Sequence, residues 1–388
     1  MNKKFIIFIF ILSLSLFVFI NKSHFAQISH FVVNQNLESF EIYKTTKNDF
    51  IVDNIEQSAH SSSLVDVGDR IMILYFAGTK EGASDVKIYQ AFLDKNNLKI
   101  TTPRVLLDAS MLSKKANKFI KKLGNPVAFR DINNKVHFFV VGVSLGGWAT
   151  SKIYQLELSS DLSEVVYKDE LRLGPFANFS HLIRTPAIAF QGGGFILPYY
   201  HELARKYSLV AFFDKNANYL YSKRMNMLNN QLQPSMIALN ANECLVFFRN
   251  YKSYNNVSFL QSCKDMGNTW DKPQISNLNG YDDSSILINY KFKNNNRILL
   301  IYNNGKVLNK HTRASLGLYY LDKNNFLYLR NIDITDRDSY PNEVSYPSAL
   351  IDREYLYCAY TYNRKTIKIK RFNLLDLENL IIKVEKSK

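Results

Sequence analysis

The stretch Cys263-Lys264-Asp265-Met266-Gly267-Asn268-Thr269-Trp270 decides the fold of this chain. It fits the pattern Ser-x-Asp-x-Gly-x-Thr-Trp, with Cys263 in the place of the serine. In such a segment the Asp265 carboxylate can accept hydrogen bonds within its own turn, and Gly267 supplies a positive φ. Trp270 returns the chain to the core as the next strand begins. The sequence therefore predicts a hairpin turn between two strands.

Weaker copies of this turn recur along the chain. Each follows a pair of short apolar strands, as in residues 70–78 and 86–94. The aspartates of the turns are spaced by 67, 53, 51 and 57 residues, and they are Asp94, Asp161, Asp214, Asp265 and Asp322. A period near ~50 residues with four strands per unit is typical of a β-propeller blade. We therefore expect an all-β, six-bladed propeller, with five marked blades and a closing one over residues 346–372.

Two segments have apolar residues at helical spacing rather than strand spacing. Residues 108–123 combine this spacing with five lysines, and residues 374–384 lie at the end of the chain. We expect both to be short helical decorations on the propeller. The basic segment is a candidate for contact with an anionic surface.

Composition is that of a globular protein rich in β structure. The chain has 388 residues, 46% of them hydrophobic, with 24 Tyr and 27 Phe. Aromatic residues favour pleated sheets. The net charge of +15 attracts polyanions such as acidic glycans, anionic lipid or nucleic acid. Of these we expect an acidic glycan as the partner, and no nucleic acid.

Three cysteines are too few for a disulfide framework and lack the spacing of metal ligands. Cys244 and Cys358 lie in apolar strand-like runs, so we expect buried thiols. A single disulfide is compatible with an exported chain, but the sequence does not pair it. We see no metal cluster, phosphate-binding glycine loop or Ser-His-Asp arrangement, and we predict no cofactor.

The N-terminus carries an export signal. Lys3 and Lys4 precede an apolar run over residues 5–20, which ends at Asn21. The run is shorter than the ~20 residues of a full membrane span, so both a signal peptide cleaved near Ala26 and a retained signal-anchor remain open. The lysines keep the N-terminus in the cytoplasm, so we expect a periplasmic, membrane-anchored or secreted body. The predicted organisation is a signal over 1–26, a leader over 27–50, the propeller over 51–373 and a helical tail over 374–388.

Several short blocks resemble the sialidase superfamily, and most closely its divergent branch with degenerate BNR (Asp-box) repeats. The resemblance covers residues 57–373. Its blocks, in order, are HSSSL (60–64), GTKEGASDV (78–86), GNP (124–126), GGW (146–148), LPYYHE (197–202), QPS (233–235), YPS (346–348) and YTYNR (360–364).

The resemblance implies a site at the propeller axis. In the superfamily three arginines grip the substrate carboxylate, a tyrosine activated by a glutamate is the nucleophile, and an aspartate is the acid/base. A neutral phenol suits a sugar whose carboxylate adjoins the reacting carbon, because a carboxylate nucleophile would be repelled. By position, Tyr346 falls at the nucleophile, Asp85 at the acid/base, and Arg249 and Arg313 at the second and third arginines.

Two positions depart from the family pattern. His60 stands where the first arginine is expected, and it can donate a hydrogen bond but lacks the guanidinium fork. Gln233 stands where the activating glutamate is expected, and it cannot act as a base. Either another carboxylate, of Glu81, Glu202 or Glu343, takes that role, or the reaction differs from standard sialic-acid hydrolysis.

The predicted function is an exported sialidase-like glycoside hydrolase of the exo-α-sialidase type, acting on terminal acidic sugars of glycans. Asp85 would protonate the leaving oxygen and Tyr346 would attack, although Asp85 is also a candidate turn-capping residue. One rival is a polysaccharide lyase in which His201 or Tyr200 abstracts the C5 proton of a uronic acid beside Arg205. The others are a hydrolase for another sugar and a non-catalytic glycan-binding propeller.

Overall fold

The chain forms a ring of six antiparallel sheets, so the predicted six-bladed β-propeller is confirmed. The computed structural model describes residues 5, 7–10, 13, 28–40, 48–174, 178–307, 310–322, 325, 327–338 and 342–387. The predicted export segment therefore lies mostly outside the described residues. None of the helices within these ranges combines the length and apolar character needed to cross a membrane.

Blades 1 to 3 follow one another along the chain, each with its first strand innermost. Blade 1 consists of Ser58–Asp66, Arg70–Gly78, Lys87–Asp94 and Arg104–Leu107. Blade 2 consists of Lys122–Arg130, Val136–Val143, Lys152–Leu158 and Val165–Glu170. Blade 3 has a broken inner strand, and it consists of His181–Leu182, Ile188–Ala189, Phe195–His201, Tyr207–Phe213 and Tyr219–Arg224.

Blades 4 to 6 complete the ring. Blade 4 consists of Gln231–Ala238, Cys244–Asn250, Val257–Lys264, Thr269–Trp270 and Gln274–Asn279. Blade 5 consists of Ile286–Phe292, Asn295–Val307, Lys310–Leu321 and Leu329–Arg337, with Asn36–Leu37 added alongside. Blade 6 consists of Val344–Asp352, Tyr355–Tyr362, Thr366–Asn373 and, outermost, Asp49–Ile51.

The N-terminal segment takes part in closing the ring. Asp49–Ile51 pairs with Thr366–Asn373, and Phe50 lies opposite Ile369. Asn36–Leu37 pairs in parallel with the inner strand of blade 5, and Phe31 stacks on Phe190 of blade 3 at 5.6 Å. Where it is described, the segment predicted as a leader is therefore built into the propeller. Because blade 6 combines Asp49–Ile51 with the last three strands of the chain, it joins the N-terminal segment to the C-terminal end of the propeller.

The five turn aspartates all join the third and fourth strands of their blades, as the repeat predicts. Asp94 Oδ1 accepts the amides of Asn96 and Asn97 at 2.8 and 2.9 Å. Asp214 Oδ1 accepts two amides in the same way, and Asp265 Oδ2 accepts the Thr269 hydroxyl at 2.7 Å. These bonds lie within each turn, so the turn motif can recur in blades whose strand sequences differ.

The cores lie between blades. Strand faces from neighbouring blades interdigitate, and large aromatic side chains such as Tyr75, Tyr154 and Phe138 are fully buried there. The sheets therefore depend on side-chain packing across blades, which explains the abundance of Tyr and Phe.

Both predicted helical segments contain helices. Ala109–Ala116 begins at Asp108, whose carboxylate accepts the Met111 amide, and packs Leu112 into the core between blades 1 and 2. Leu374–Lys386 docks on blade 5, where the Glu378 carboxylate accepts the Tyr290 hydroxyl at 2.6 Å and pairs with Arg297 at 2.9 Å. Short 3-10 turns occur at Trp148–Thr150, Tyr254–Asn256 and Asp265–Gly267.

One cysteine differs from expectation. Cys244 and Cys263 lie opposite each other on adjacent strands of blade 4 and form a disulfide. The prediction of a thiol at Cys244 was therefore wrong, because sequence patterns do not show which strands bring two sulfurs together. Cys358 is buried and free, as predicted.

Candidate active site

The site lies on the face opposite the turn aspartates. In blade 1, Ser58 pairs with Gly78 at one end of the sheet, whereas Arg70 pairs with Asp94 at the other. His60 therefore lies near the end remote from Asp94. We call this end of the ring the site face. The loops between second and third strands, such as residues 79–86 and 202–206, open onto the same face.

The inner strands bend at bulges near this face. Register shifts fall at the left-handed residues Ser61, Asn125, Gln233 and Tyr346, with φ of 54°, 40°, 43° and 55°. A positive φ is costly for a side chain other than glycine and is held only by surrounding structure. Three of the four precede a proline. Two of them, Gln233 and Tyr346, are residues predicted for the site.

Serines after the bulges tie neighbouring inner strands together. Ser63 Oγ accepts the Ala128 amide of blade 2 at 3.1 Å, and Ser235 Oγ accepts the Leu287 amide of blade 5 at 2.7 Å. Ser348 Oγ lies 3.1 Å from Ser62 Oγ. The serines of HSSSL, QPS and YPS thus compensate for sheet bonds that the bulges interrupt.

Arg184 binds the backbone of the strands that carry site residues, a role that the sequence motifs did not predict. Its Nη2 donates to the carbonyls of Tyr346 and Pro347 at 2.6 and 2.8 Å, and its Nη1 donates to the Ser62 carbonyl at 3.2 Å. The guanidinium also lies 5.4 Å from the Tyr346 ring centre. Burial lowers the pKa of Arg184 to about 10, so it stays charged at neutral pH. It joins blades 1, 3 and 6 at the axis.

Tyr346, Arg249 and Arg313 converge. Arg249 Nη1 donates to the Tyr346 hydroxyl at 3.1 Å, and the Arg313 guanidinium lies 5.6 Å from the Tyr346 ring centre. Each arginine is also fixed by an acid: Arg249 Nε donates to Asp282 at 2.8 Å, and Arg313 Nε donates to Asp283 at 2.7 Å. Burial opposes the charge on both, but the neighbouring acids and Tyr346 raise the pKa of each. The two guanidinium groups are therefore fixed and permanently charged.

His60 completes this cluster. Its ring centre lies 4.2 Å from that of Tyr346, and neither ring nitrogen has a hydrogen-bond partner among the described residues. Burial, followed by the charges of Arg364, Arg184, Arg313 and Arg249, lowers the pKa of His60 well below its usual value. His60 is therefore a neutral, fully buried group whose ring nitrogens have no hydrogen-bond partner among the described residues.

Arg364 brings two carboxylates to the rim. Its Nη1 donates to Glu81 at 2.8 Å, and its Nε lies 3.1 Å from Glu343. Glu81 and Glu343 were candidates to activate Tyr346. Their pairing with Arg364 gives them a different role. They hold the Arg364 guanidinium, which acts on His60 together with those of Arg184, Arg249 and Arg313.

Gln233 contacts Tyr200 rather than Tyr346. Its Nε2 lies 3.3 Å from the Tyr200 hydroxyl, and its Oε1 is buried without a hydrogen-bond partner in the described structure. Burial raises the pKa of Tyr200 far above its usual value, so this phenol remains neutral. The Gln233 amide oxygen is therefore a buried acceptor left unsatisfied, which is costly in a folded protein.

The structure does not bring Asp85 into the cluster. Its side chain is exposed, and its Oδ2 accepts both the Thr79 amide at 2.9 Å and the Thr79 hydroxyl. These bonds lower the pKa of Asp85. They correspond to the turn-capping role, in which the carboxylate closes the loop over residues 79–86.

His201 also lies apart from the cluster. Its ring stacks on Tyr207 at 4.9 Å and meets His181 edge-on at 5.4 Å. Successive residues of a strand face opposite sides of the sheet, so Tyr200 and His201 cannot act on one group together. Burial, then Lys206, lowers the pKa of His201. His201 was predicted as a substrate-binding residue, and its ring contacts in the described structure are with Tyr207 and His181.

The assembled group can bind a carboxylate next to a phenol. Arg249 and Arg313 supply planar donors, His60 is a neutral group beside the Tyr346 ring, and the Tyr346 oxygen lies next to Arg249. No cluster of three or more His, Cys, Asp or Glu side chains suited to a metal ion occurs among the described residues.

A local signal could have identified Arg184. It precedes Thr185-Pro186, and the Thr185 hydroxyl donates to the Pro234 carbonyl of blade 4 at 2.6 Å. Gly124 and Ser345 occupy the same position as Arg184, two residues before a proline and close to an inner-strand bulge. Asp282 and Asp283 carry no such signal, because they lie in a connection between blades.

Comparisons with known proteins agree with this architecture. A family model described as a BNR repeat-like domain matches residues 69–358. No curated protein matches the sequence. Among solved structures, a Hadza microbial sialidase has a TM-score of 0.68 at 10% identity, covering 83% of this chain and 66% of its own.

Two further structures are similar. The Trypanosoma rangeli sialidase in complex with sialic acid has a TM-score of 0.62 at 13% identity, covering 92% of this chain and 60% of its own. The NanB sialidase from Streptococcus pneumoniae has a TM-score of 0.65 at 10% identity, covering 87% of this chain and 71% of its own. The chain thus spans about two thirds or less of the length of the Hadza and Trypanosoma proteins. At these identities the likeness shows the fold alone.

The family match covers most of the chain, and the propeller, its repeated aspartate turns and the solved relatives agree with it. The chain therefore belongs to the BNR repeat-like domain family, and it shares its β-propeller fold with the solved sialidases.

Proposed function

We propose that this protein is a glycoside hydrolase that removes terminal acidic sugars from glycans. The observation that carries the proposal is the clustering of Arg249, Arg313 and neutral His60 about Tyr346, with Arg249 at its hydroxyl and the other two beside its ring. A sugar with a carboxylate at its anomeric carbon would present both the charge and the reacting carbon to this group. Sialic acids and related keto-sugar acids have this chemistry.

In the proposed reaction the substrate carboxylate lies between Arg249 and Arg313, and His60 donates one hydrogen bond to it. The Tyr346 oxygen attacks the anomeric carbon as the glycosidic bond breaks, and water then releases the sugar from the phenol. The phenol proton passes to solvent water before attack and returns on release. Asp282 and Asp283 fix the arginines, which limits the reorganisation needed in the transition state.

Three of the candidate bases for Tyr346 do not serve it in the described structure, which bears on the rate. Gln233 cannot accept a proton, and Glu81 and Glu343 pair with Arg364. We expect slower turnover than a glutamate-assisted tyrosine would give, by up to the roughly 10²–10⁴-fold that general base catalysis contributes.

We also propose an exported location. The Cys244–Cys263 disulfide is typical of oxidising compartments, and a predicted export segment precedes the propeller. Acidic glycans displayed outside the cytoplasm would then be accessible. Whether residues 1–26 anchor the protein to a membrane is tested by extracting it from cells with and without detergent.

The function is tested by turnover of a fluorogenic α-sialoside, with a fluorogenic β-glucuronide as the comparison substrate. We expect release from the sialoside alone, and its loss in Tyr346→Phe. Unsaturated uronate absorbance from acidic polysaccharides would instead indicate the lyase. Release from neither substrate, together with retained binding of a sialylated glycan, would contradict hydrolysis. That outcome would favour a non-catalytic glycan-binding propeller. A glutamine at position 233 is as compatible with this alternative as with hydrolysis.

A further inference from the structure

The proposed hydrolysis needs a proton for the leaving oxygen, and Asp85 is poorly placed to supply it. Its carboxylate is exposed and accepts two hydrogen bonds from Thr79, which favour the ionised form. A proton donor should instead hold its proton near neutral pH and lie inside the cleft.

Glu202 has the required position. It follows the second strand of blade 3 and begins the loop over residues 202–206, which opens on the site face as the Asp85 loop does in blade 1. It lies one residue past the end of the strand at His201 and two residues beyond Tyr200, whose hydroxyl contacts Gln233. The charge with the largest effect on it is Lys206 of its own loop, and the others are Arg249 of blade 4, Asp282 between blades 4 and 5, and Glu81 of blade 1. Only a group near the axis can be close to all of them.

Glu202 also has the required freedom. Its backbone is fixed, since its amide donates to the Ser180 carbonyl at 3.0 Å and its carbonyl accepts Lys206 Nζ at 2.6 Å. Its carboxyl group, by contrast, accepts no hydrogen bond and forms no ion pair within the described structure. Burial raises the pKa of Glu202, and the acids Asp282 and Glu81 add to this, against Lys206 and Arg249. A half-buried carboxyl without a partner in a cleft is a candidate acid.

We propose that Glu202, in place of Asp85, is the catalytic proton donor of the axial site. The inference rests on the proposed hydrolase function and completes its chemistry. Glu202 gives its proton to the glycosidic oxygen as the bond from that oxygen to the anomeric carbon breaks, so the leaving group departs as a neutral alcohol. The resulting carboxylate then takes a proton from the water that attacks the same carbon. Glu202 is thereby restored, and one water is added across the bond.

The test compares two sialosides that differ in their need for acid. Methylumbelliferyl α-sialoside has a phenol leaving group that departs with little assistance, whereas α-2,3-sialyllactose has an alkyl leaving group that needs a proton. We expect Glu202→Gln to lose roughly 10²–10⁴-fold in kcat/KM on sialyllactose and less than about tenfold on the aryl substrate. Glu164→Gln, an exposed carboxylate in a turn of blade 2, is the matched control and should change neither rate.

Two further readouts separate catalysis from structure. Added formate, a small acid, should restore the sialyllactose rate of Glu202→Gln but leave Glu164→Gln unchanged. In the wild type, kcat/KM on sialyllactose should fall as pH rises above the raised pKa of Glu202, and this alkaline limb should be absent from Glu202→Gln.

The outcomes distinguish the two claims. If the wild type cleaves neither sialoside, the proposed function fails and this inference fails with it. If the wild type cleaves both, and Glu202→Gln matches Glu164→Gln while Asp85→Asn shows the selective loss on sialyllactose, the hydrolase stands and Glu202 is overturned as its acid. A loss by Glu202→Gln that is equal on both substrates and not rescued by formate also overturns it.

Discussion

At the scale of single residues, the site combines expected and unexpected groups. The clustering of Tyr346, Arg249 and Arg313 could be predicted, because short blocks of the sequence resemble a known family. Arg184 was not expected, because a buried arginine that binds carbonyls leaves no periodic signal. Asp85 was assigned by position, yet Thr79 lies within bonding distance and captures the carboxylate. Local hydrogen bonds of this kind depend on loop conformation, which spacing does not determine.

Arg313→Lys should weaken recognition of the carboxylate. Lysine keeps the charge but cannot hold Asp283 through Nε while presenting a second nitrogen to a ligand. We expect a loss of about 1.5–3 kcal/mol, roughly 10–100-fold in affinity for sialic acid. Titration calorimetry measures it, with the methyl ester of the same sugar as control. Equal loss for acid and ester would contradict a carboxylate contact.

Gln233→Glu should restore a base near the axis. The new carboxylate would be buried and would face Tyr200, so we expect a stability loss of about 1–3 kcal/mol together with a rise in kcat of at least about tenfold. Gln231→Glu, also buried on this strand, is the control and should lose stability without gaining rate. No gain in kcat for Gln233→Glu at temperatures where it is folded would refute the view that the missing glutamate limits the reaction.

At the scale of elements, the bulge repeated on the inner strands and the aspartate turn repeated between third and fourth strands have different roles. The bulges at Ser61, Gln233 and Tyr346 turn inner-strand residues into site residues. The aspartate turns lie at the other end of each blade and only close hairpins. The turn could be predicted because its bonds are local. The bulge could not, since it is stabilised by bonds between the serines that follow it and neighbouring blades.

The Cys244–Cys263 disulfide should stabilise blade 4 without affecting the site. It joins adjacent strands beside the Asp265 turn, and its cysteines are separated by 19 residues in sequence. A loop of about that length predicts a loss of about 3 kcal/mol for the Cys244→Ser, Cys263→Ser double variant. Thermal unfolding with and without a reductant measures it, and the reductant should not affect the double variant. Lost turnover in the folded double variant would show that the disulfide acts on the site.

At the scale of the whole molecule, closure of the ring connects the N-terminal segment to the last blade. Five blades were predicted from the turn spacing, because each aspartate marks one blade, and the sixth from the strand pattern over residues 346–372. The closing strand Asp49–Ile51 was not predicted, since three residues carry too little pattern to distinguish a strand from a leader. Which strand completes a ring is decided by packing between distant segments.

Phe50→Ala should therefore destabilise the whole propeller. Phe50 is 3% exposed and packs between blades 1 and 6, although it belongs to the outermost strand. We expect a loss of about 3 kcal/mol in the free energy of unfolding, measured by denaturant titration. The neighbouring Ile51→Ala is the control, because Ile51 is 58% exposed and should cost less than about 1 kcal/mol. Equal costs would mean that this strand does not close the ring.

The central claim is that Tyr346, surrounded by arginines at the axis, attacks an acidic sugar. Incubation with 2,3-difluorosialic acid, followed by mass mapping of peptides, tests it most directly, because fluorine beside the reacting carbon slows release of a sugar bound to the nucleophile. We predict a covalent adduct on Tyr346, absent from Tyr346→Phe and from protein competed with sialic acid. An adduct on another residue, or none in protein that turns over sialosides, would contradict the account.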